Sequence, residues 1–276
     1  EGILAAAGQY GVLPWMHLSS LTEEGWFSSS RAEVLLKSSH RQEALLEQIK
    51  EILKEKGYGG VDVDFEYLQP GLAGAYTAFI ERLRQELNKL GYTVQVALAP
   101  KVSRGQKGLL YESHDYAALG RAANGALLMT YEWGYSAGPP MAVAPLDKVR
   151  QVVDYALGEI EAKKLFLGVP VYGYDWPLPY RQGATRGVSV APREALDLAR
   201  RQGTEIQFDE TAQAPWFRYT AADGREHEVW FEDARSSYAK FRLAAEKGLQ
   251  GVGLWNLMRP AVQTYLVLHG GFEIEE

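Results

Sequence analysis

Short apolar runs that suit β-strands alternate with amphipathic helical patterns along most of this chain, and this alternation limits the possible folds more than any other feature. Repeated strand–helix units with apolar strands are typical of a parallel sheet covered by helices. Apolar periodicity predicts strands at 12–19, 60–67, 92–99, 126–131, 165–172 and 251–255, and helices at 3–10, 40–56, 73–90, 116–123, 146–160, 236–247 and 260–268.

These elements make about six strand–helix units, against the eight of a closed barrel. We therefore expect an α/β fold, a (β/α)8 TIM barrel that lacks its first one or two strands in this chain. Those strands would lie before Glu1 or be absent. The alternative is an open doubly wound sheet, which would place a glycine-rich phosphate turn after its first strand, and the sequence has no such turn.

Residues 175–233 interrupt this rhythm. They contain a predicted helix at 192–202 and strand-like runs at 205–208, 216–220 and 228–231, with a hairpin turn at 222–224. We expect a small α+β subdomain inserted before the last barrel strand. The predicted division is a barrel at 1–174, the insertion at 175–233 and the end of the barrel at 234–276. The insertion is expected to wall a substrate cleft rather than merely to add stability.

Composition excludes several classes of function. The 276 residues are 46% hydrophobic and 23% charged, which suits a chain with a packed core. A net charge of -6 gives no attraction for nucleic acid or an anionic membrane. No run approaches the roughly 20 apolar residues of a membrane span. The absence of cysteine and the scattered histidines predict no metal and no cofactor, and we expect a monomer.

Residues 61–66 alternate between large apolar side chains and the acids Asp62, Asp64 and Glu66. Because a strand has a period of two, the three acids share one face. If helices cover the apolar face, the acids face the barrel interior, where charge is expensive. The alternative is an edge strand with a solvated acidic face. We expect Asp62 to lie deepest, at least one carboxyl to stay protonated near neutral pH, and Glu66, at the carboxyl end, to act as a general acid.

Residues 59–66 resemble the D-G-x-D-x-D-x-E signature of glycoside hydrolase family 18, the chitinase-like barrels, with Gly59 in place of the first Asp. Residues 129–132 resemble the M-x-Y-D strand of that family, with Glu132 in place of Asp. Residues 168–173 resemble its G-x-P-x-Y-G strand, and residues 253–255 its last strand. The resemblance runs from about Val12 to the C-terminus. Within the family, segments 129–134, 138–142 and 172–176 look most like the bacterial spore-cortex-lytic N-acetylglucosaminidases.

The resemblance implies a retaining reaction assisted by the substrate, with Glu66 as the acid and Asp64 holding the acetamido N–H. It also implies that Tyr131 binds the acetamido oxygen and that Trp255 lies under the sugar. Asp62 completes the catalytic set by taking up a proton from Asp64. Four further side chains are expected to bind the sugar: Glu132, Trp133, Tyr172 and Trp176. Trp15 and His17 are expected to form a core pair rather than part of the cleft.

The substrate that the resemblance implies is a polysaccharide, the peptidoglycan of the spore cortex, with cleavage of β-1,4 bonds next to N-acetylglucosamine. Two alternatives stay open: a chitinase or chitooligosaccharide hydrolase, and a non-catalytic chitin-binding lectin on the same fold. Such lectins typically lose the terminal Glu of the signature, which is present here as Glu66. The expected location is outside the cell, in the cell wall or spore.

Overall fold

The computed structural model describes residues 2–256 and 258–274. The chain forms two compact units, one made of Glu1–Leu128 and Tyr155–Leu165 and the other of Met129–Asp154 and Phe166–Glu276. We call them the first and second unit. In the part of the chain that is described, no helix is long and apolar enough to cross a bilayer.

Parallel strands covered by helices build the first unit. Its elements in chain order are α1 Gly2–Gln9, β1 Met16–Ser19, α2 Ser29–Leu36, α3 Ser39–Lys56, β2 Gly60–Asp64, α4 Ala73–Asn88, β3 Thr93–Leu98, α5 Tyr116–Ala122 and β4 Gly125–Leu128. The strands pair in the order β1-β2-β3-β4, all in parallel. Gly60 is required at the start of β2, because a Cβ there would lie 2.3 Å from the carbonyl oxygen of Thr93.

The helices of the first unit follow the predicted apolar spacing. Helix α3 begins after Ser38, whose side chain accepts the N–H of Arg41, and ends at Gly57 in the left-handed conformation. Helix α4 buries five side chains at intervals of one, three and four residues: Tyr76, Phe79, Ile80, Leu83 and Leu87. Phe65, just after β2, stacks on the rings of Tyr76 and Phe79 at 5.7 and 5.9 Å. The apolar side chain that follows β2 therefore packs on a helix, α4.

The second unit combines two parallel strands with an antiparallel sheet. Its elements are β5 Leu165–Pro170, β6 Gly173–Pro177, β7 Val188–Val190, α7 Pro192–Gln202, β8 Gln207–Asp209, β9 Ala214–Thr220, β10 Glu226–Trp230, α8 Ala234–Glu246, β11 Gly251–Trp255 and α9 Val262–Gly271. Strand β5 pairs with β11 in parallel. Helix α6, Leu146–Leu157, ends within the first unit.

The predicted α+β insertion is present between β5 and β11. Five antiparallel strands lie in the order β7-β6-β10-β9-β8, and the β9–β10 hairpin turns where it was predicted. Helix α7 packs Ala195 and Ala199 against Phe217, Val229 and Phe231. Strands β6 and β7 also belong to this sheet, although the sequence predicted no strand of the insertion at these residues. The proposed division at 175 and 233 stays a prediction.

Candidate active site

The acids of β2 lie on one face of the strand. Val61 and Val63 are fully buried on the opposite face. The strand ends at Asp64, two residues earlier than the last acid, so Glu66 lies in the segment that follows the carboxyl end of β2. Tyr67, next along the chain, has a φ of 54°. A positive φ in a residue with a large side chain is uncommon and is often found beside functional groups.

Burial changes the protonation of two of these acids. It raises the pKa of Glu66 to about 8, and the neighbouring charge of Asp64 adds to the rise. Burial also raises the pKa of Asp64 to about 6, against the opposing effect of His17. Glu66 therefore carries a proton at neutral pH, while Asp64 is mostly ionised. This is the pattern expected of a general acid with an anionic neighbour.

Asp64 is the less accessible of the two aspartates. Its side chain is 11% exposed, against 24% for Asp62. The expectation that Asp62 lies deepest is therefore wrong in terms of solvent access. Oxygen Oδ1 of each aspartate is buried and accepts no hydrogen bond from the described residues. A buried carboxylate oxygen without a donor is costly, so these oxygens are suited to accept a hydrogen bond from an N–H group of a bound ligand.

His17 contacts both aspartates, which the sequence analysis did not anticipate. Strand β1 aligns His17 with Asp62, and Nδ1 of His17 lies 3.0 Å from Oδ2 of Asp62. Nε2 lies 3.8 Å from Oδ2 of Asp64. The His17 side chain is 49% exposed, so the predicted core pair with Trp15 is wrong. The hydrogen bond to Asp62 raises the pKa of His17, which favours an imidazolium beside the carboxylates.

Tyr131 and Trp255 lie together in the second unit. Their rings are nearly parallel, with centroids 6.3 Å apart and planes 13° apart. Trp255 is the last residue of β11 and is 47% exposed, which is unusual for so large an apolar side chain. Exposed flat aromatic faces suit contact with the C–H face of a sugar ring. The predicted roles of Tyr131 and Trp255 stay predictions.

Glu132 lies in a polar cleft of the second unit. Its Oε1 accepts hydrogen bonds from the hydroxyls of Tyr172 at 2.5 Å and Tyr174 at 3.0 Å. Loss of solvent raises the pKa of Glu132, and the two hydroxyls oppose that rise. The cleft has a volume of about 350 Å³ and is lined by Glu132, Tyr172, Tyr174, Ser189, Trp255, Asn256 and Arg259. Sequence reasoning assigned Glu132, Tyr172 and Trp255 to the site. It missed Ser189, Asn256 and Arg259, which lie in no motif, and Tyr174, although Tyr174 lies in the segment 172–176 that carries part of the resemblance.

Two predicted sugar contacts fare differently. Trp176 is fully buried, its ring lies 5.4 Å from that of Tyr174, and its Nε1 lies 2.7 Å from where a Cβ of Gly187 would be. We correct that prediction: Trp176 packs inside the second unit, because its position in β6 turns the indole inward. Trp133 is partly exposed, its backbone N–H donates to Val143, and its role stays a prediction.

Residues 24–259 match the profile of the glycosyl hydrolases family 18. The chain belongs to this family. It is 45% identical over 248 residues to the cortical fragment-lytic enzyme of Bacillus subtilis (strain 168), covering 90% of this chain and 58% of that protein. It is 35% identical over 268 residues to the cortical fragment-lytic enzyme of Bacillus anthracis, covering 97% of this chain and 62% of that protein.

Solved structures give the same result. The spore cortex-lytic enzyme SleL of Bacillus megaterium QM B1551 aligns with a TM-score of 0.95 and 41% identity, covering 100% of this chain and 63% of that one. A chitinase from Chromobacterium violaceum ATCC 12472 aligns with a TM-score of 0.90 and 26% identity, covering 97% and 82%. The predicted fold class and family are confirmed. The chain spans about three fifths of the length of the cortical relatives it matches.

Proposed function

We propose that this chain hydrolyses β-1,4 bonds next to N-acetylglucosamine in peptidoglycan fragments of the spore cortex. The proposal rests on one observation above all: Glu66 follows β2 in a partly buried carboxylate cluster, and its withdrawal from solvent keeps it protonated at neutral pH. Family membership and the names of the cortical relatives support it. The proposed location is accordingly outside the cell or in the spore.

The proposed reaction is retaining and uses the 2-acetamido group of the substrate as nucleophile. Glu66 gives its proton to the leaving glycosidic oxygen as the bond to the anomeric carbon breaks. The acetamido carbonyl oxygen attacks that carbon and forms an oxazolinium ion. Glu66, now a carboxylate, takes a proton from water. The water oxygen attacks the anomeric carbon from the face that the leaving group occupied, and the oxazolinium ring opens. Two inversions give net retention.

The roles of the aspartates follow from their state. An ionised Asp64 accepts the acetamido N–H and offsets the positive charge that develops on the acetamido group. Asp62 and His17 hold a second charge pair beside it, so a proton can pass inward when Asp64 takes one up. We keep the assignment of Tyr131 to the acetamido oxygen and of Trp255 to the sugar face as part of the proposal.

Two alternatives are weighed against this proposal. Similarity to a bacterial chitinase supports chitin or chitooligosaccharides as the substrate. The proposed mechanism is compatible with this alternative, because chitin and peptidoglycan both present a 2-acetamido sugar. A lectin would bind the same sugars without turnover. The presence of Glu66 argues against the lectin alternative, because Glu66 is the proposed acid. The two alternatives differ in outcome on the same set of substrates, because a chitinase would release products from chitin oligomers and a lectin would release none.

The test uses cortical fragments, chitin oligomers and an aryl β-glucoside that lacks the acetamido group, with products identified by mass spectrometry. We expect cleavage of the fragments, none of the glucoside, and competitive inhibition by a thiazoline analogue of N-acetylglucosamine. Cleavage of the glucoside would overturn the assisted mechanism. Faster cleavage of chitin oligomers would favour a chitinase, and binding without cleavage would favour the lectin.

A further inference from the structure

Arg259 is the cation of the cleft that contains Glu132. Its guanidinium pairs with Glu194, with Nη1 and Oε2 at 3.6 Å, and the side chains are 34% and 64% exposed. Exposed pairs at such a distance contribute little. Oε2 of Glu194 also accepts the N–H of Ala191 at 2.6 Å, at the start of α7. Most of the guanidinium donors of Arg259 are therefore not committed to Glu194.

Glu132 does not neutralise Arg259 either. Its Oε1 is engaged by the hydroxyls of Tyr172 and Tyr174. Within residues 2–256 and 258–274, no ion pair joins Glu132 to Arg259. The cleft therefore offers a guanidinium with donors to spare, beside the neutral hydrogen-bonding groups of Ser189 and Asn256.

We propose that Arg259 binds a carboxylate of the substrate, so that this cleft selects peptidoglycan saccharides over chitin. The inference rests on the proposed function and deepens it by naming the side chain and the substrate group that would decide between peptidoglycan and chitin. Chitin is a neutral polymer of N-acetylglucosamine. In peptidoglycan, N-acetylmuramic acid carries a 3-O-lactyl group, which ends in a carboxylate or in a peptide with carboxylates of its own. The planar fork of arginine matches a carboxylate through two parallel hydrogen bonds.

The experiment measures binding without turnover, in a Glu66→Gln background. Isothermal titration calorimetry compares four ligands: the disaccharide of N-acetylglucosamine and N-acetylmuramic acid, its lactyl methyl ester, the same disaccharide with a dipeptide on the lactyl group, and the neutral chitin disaccharide N,N′-diacetylchitobiose, called chitobiose below. We expect the acid to bind about tenfold more tightly than its ester or chitobiose, equivalent to about 1.4 kcal/mol. The advantage should shrink as salt concentration rises.

Three variants test whether Arg259 is responsible. Arg259→Gln should remove the advantage of the acid and leave the ester and chitobiose unchanged. Arg259→Lys should keep part of it, because lysine retains the charge but not the fork. Arg193→Gln is the matched control, since Arg193 lies exposed on α7 and outside the cleft. A preference for the peptide-bearing ligand alone would support the proposal with the peptide as source of the carboxylate.

Other results would overturn the inference. They are binding of both carboxylated ligands by the parent chain no tighter than that of the ester, no detectable binding of either carboxylated ligand, or equal weakening of every ligand by Arg259→Gln. These results are independent of the proposed chemistry. If Glu66→Gln retained hydrolysis while the carboxylate preference held, the mechanism would fail and the role of Arg259 would stand.

Discussion

Each unit withdraws a glutamate from solvent, one fully and the other partly, and the two are stabilised in opposite ways. In the second unit, Glu232 and Lys240 are both fully buried, with Oε2 and Nζ 2.7 Å apart. Burial raises the pKa of Glu232, and the Lys240 ammonium opposes the rise. In the first unit, Glu66 has no lysine or arginine partner among the described residues, and its pKa rises to about 8. One glutamate is compensated by a cation, and the other is compensated by keeping its proton.

This difference separates structural charge from functional charge. A buried ion pair holds two side chains in place and has no part in the reaction of a substrate. A buried carboxyl that holds a proton near neutral pH is costly for folding and useful for proton transfer. In the antiparallel sheet the buried Glu228 also has a cationic partner, since Arg218, itself 61% exposed, pairs with it at 2.7 Å and Trp230 donates to the same carboxylate. The comparison makes predictions that differ between the units.

The largest effect is expected from Glu66→Gln. The amide keeps the shape of the side chain but has no proton to give, so kcat should fall by about 10²–10⁴. The melting temperature at pH 5 should not fall. Steady-state kinetics on cortical fragments provide the measurement, with exposed Glu47→Gln as control. Turnover within a few-fold of the parent chain would remove Glu66 from the mechanism.

Asp64→Asn should have the next largest effect. An amide cannot offset the positive charge of the oxazolinium ion, and a loss of about 10²-fold in kcat is typical of removing one stabilising group. The acid limb of the pH–rate profile should disappear, because the pKa of Asp64, raised to about 6, no longer contributes. A full pH–rate profile tests this. An unchanged acid limb with an intact rate would show that Asp64 is a bystander.

Glu232→Gln should affect stability rather than chemistry. It leaves the Lys240 ammonium buried without a counter-charge, at a cost of about 3–5 kcal/mol in the free energy of unfolding. Urea denaturation measures this directly. The double variant Glu232→Leu with Lys240→Met should recover most of the loss, since no charge is left buried. If the single variant were as stable as the parent chain, the pair would not be a structural element, and the comparison would fail.

The sequence predicted the parts of the fold that carry strong periodicity. Helix α3 and strand β11 appear at or within one residue of their predicted bounds, because an amphipathic stripe or a bounded apolar run decides each one. Helix α2 was missed, since its eight residues show little apolar periodicity and are held by a Ser28 cap. Strand β1 is shorter than predicted, because Pro14 has no N–H for a ladder.

The candidate site divides in the same way. The acids of β2 were predicted because alternation on one strand is a local pattern. His17 was not, because its contact with Asp62 depends on the register between two strands. Arg259 and Ser189 join Glu132 through tertiary structure, and no spacing in the sequence relates them. Trp176 was misjudged because a strand pattern alone does not say which face is buried.

The pH dependence of stability should also differ between variants. Glu66 has a pKa of about 8 in the folded chain and an ordinary value of 4.5 when unfolded. Between these values unfolding releases a proton, so rising pH favours the unfolded state. Glu66→Gln lacks this penalty. Its melting temperature relative to the parent chain should rise from pH 5 to pH 8 by roughly 5 °C and then level off. Calorimetric scans across this range provide the measurement. If Glu66 ionised normally, the difference in melting temperature between Glu66→Gln and the parent chain would not change with pH.

The smallest effect is expected from His17→Gln. The imidazolium of His17 lowers the pKa of Asp64 from the value that burial alone would give, so its removal should raise that pKa further. If ionised Asp64 is required, the acid limb of kcat/KM should move to higher pH by less than about one unit, with a few-fold loss at pH 6 and almost none at pH 8.

The exposed His40, on α3, provides the control as His40→Gln, which should leave the profile in place. A purely structural role for His17 would lower the rate equally at every pH and would lower the melting temperature. A shift of the acid limb at constant plateau rate would instead show that His17 acts on the pKa of Asp64. That outcome would extend the comparison between the units, because the carboxylates of the first unit would have a titratable imidazole as partner, where Glu232 has the ammonium group of Lys240.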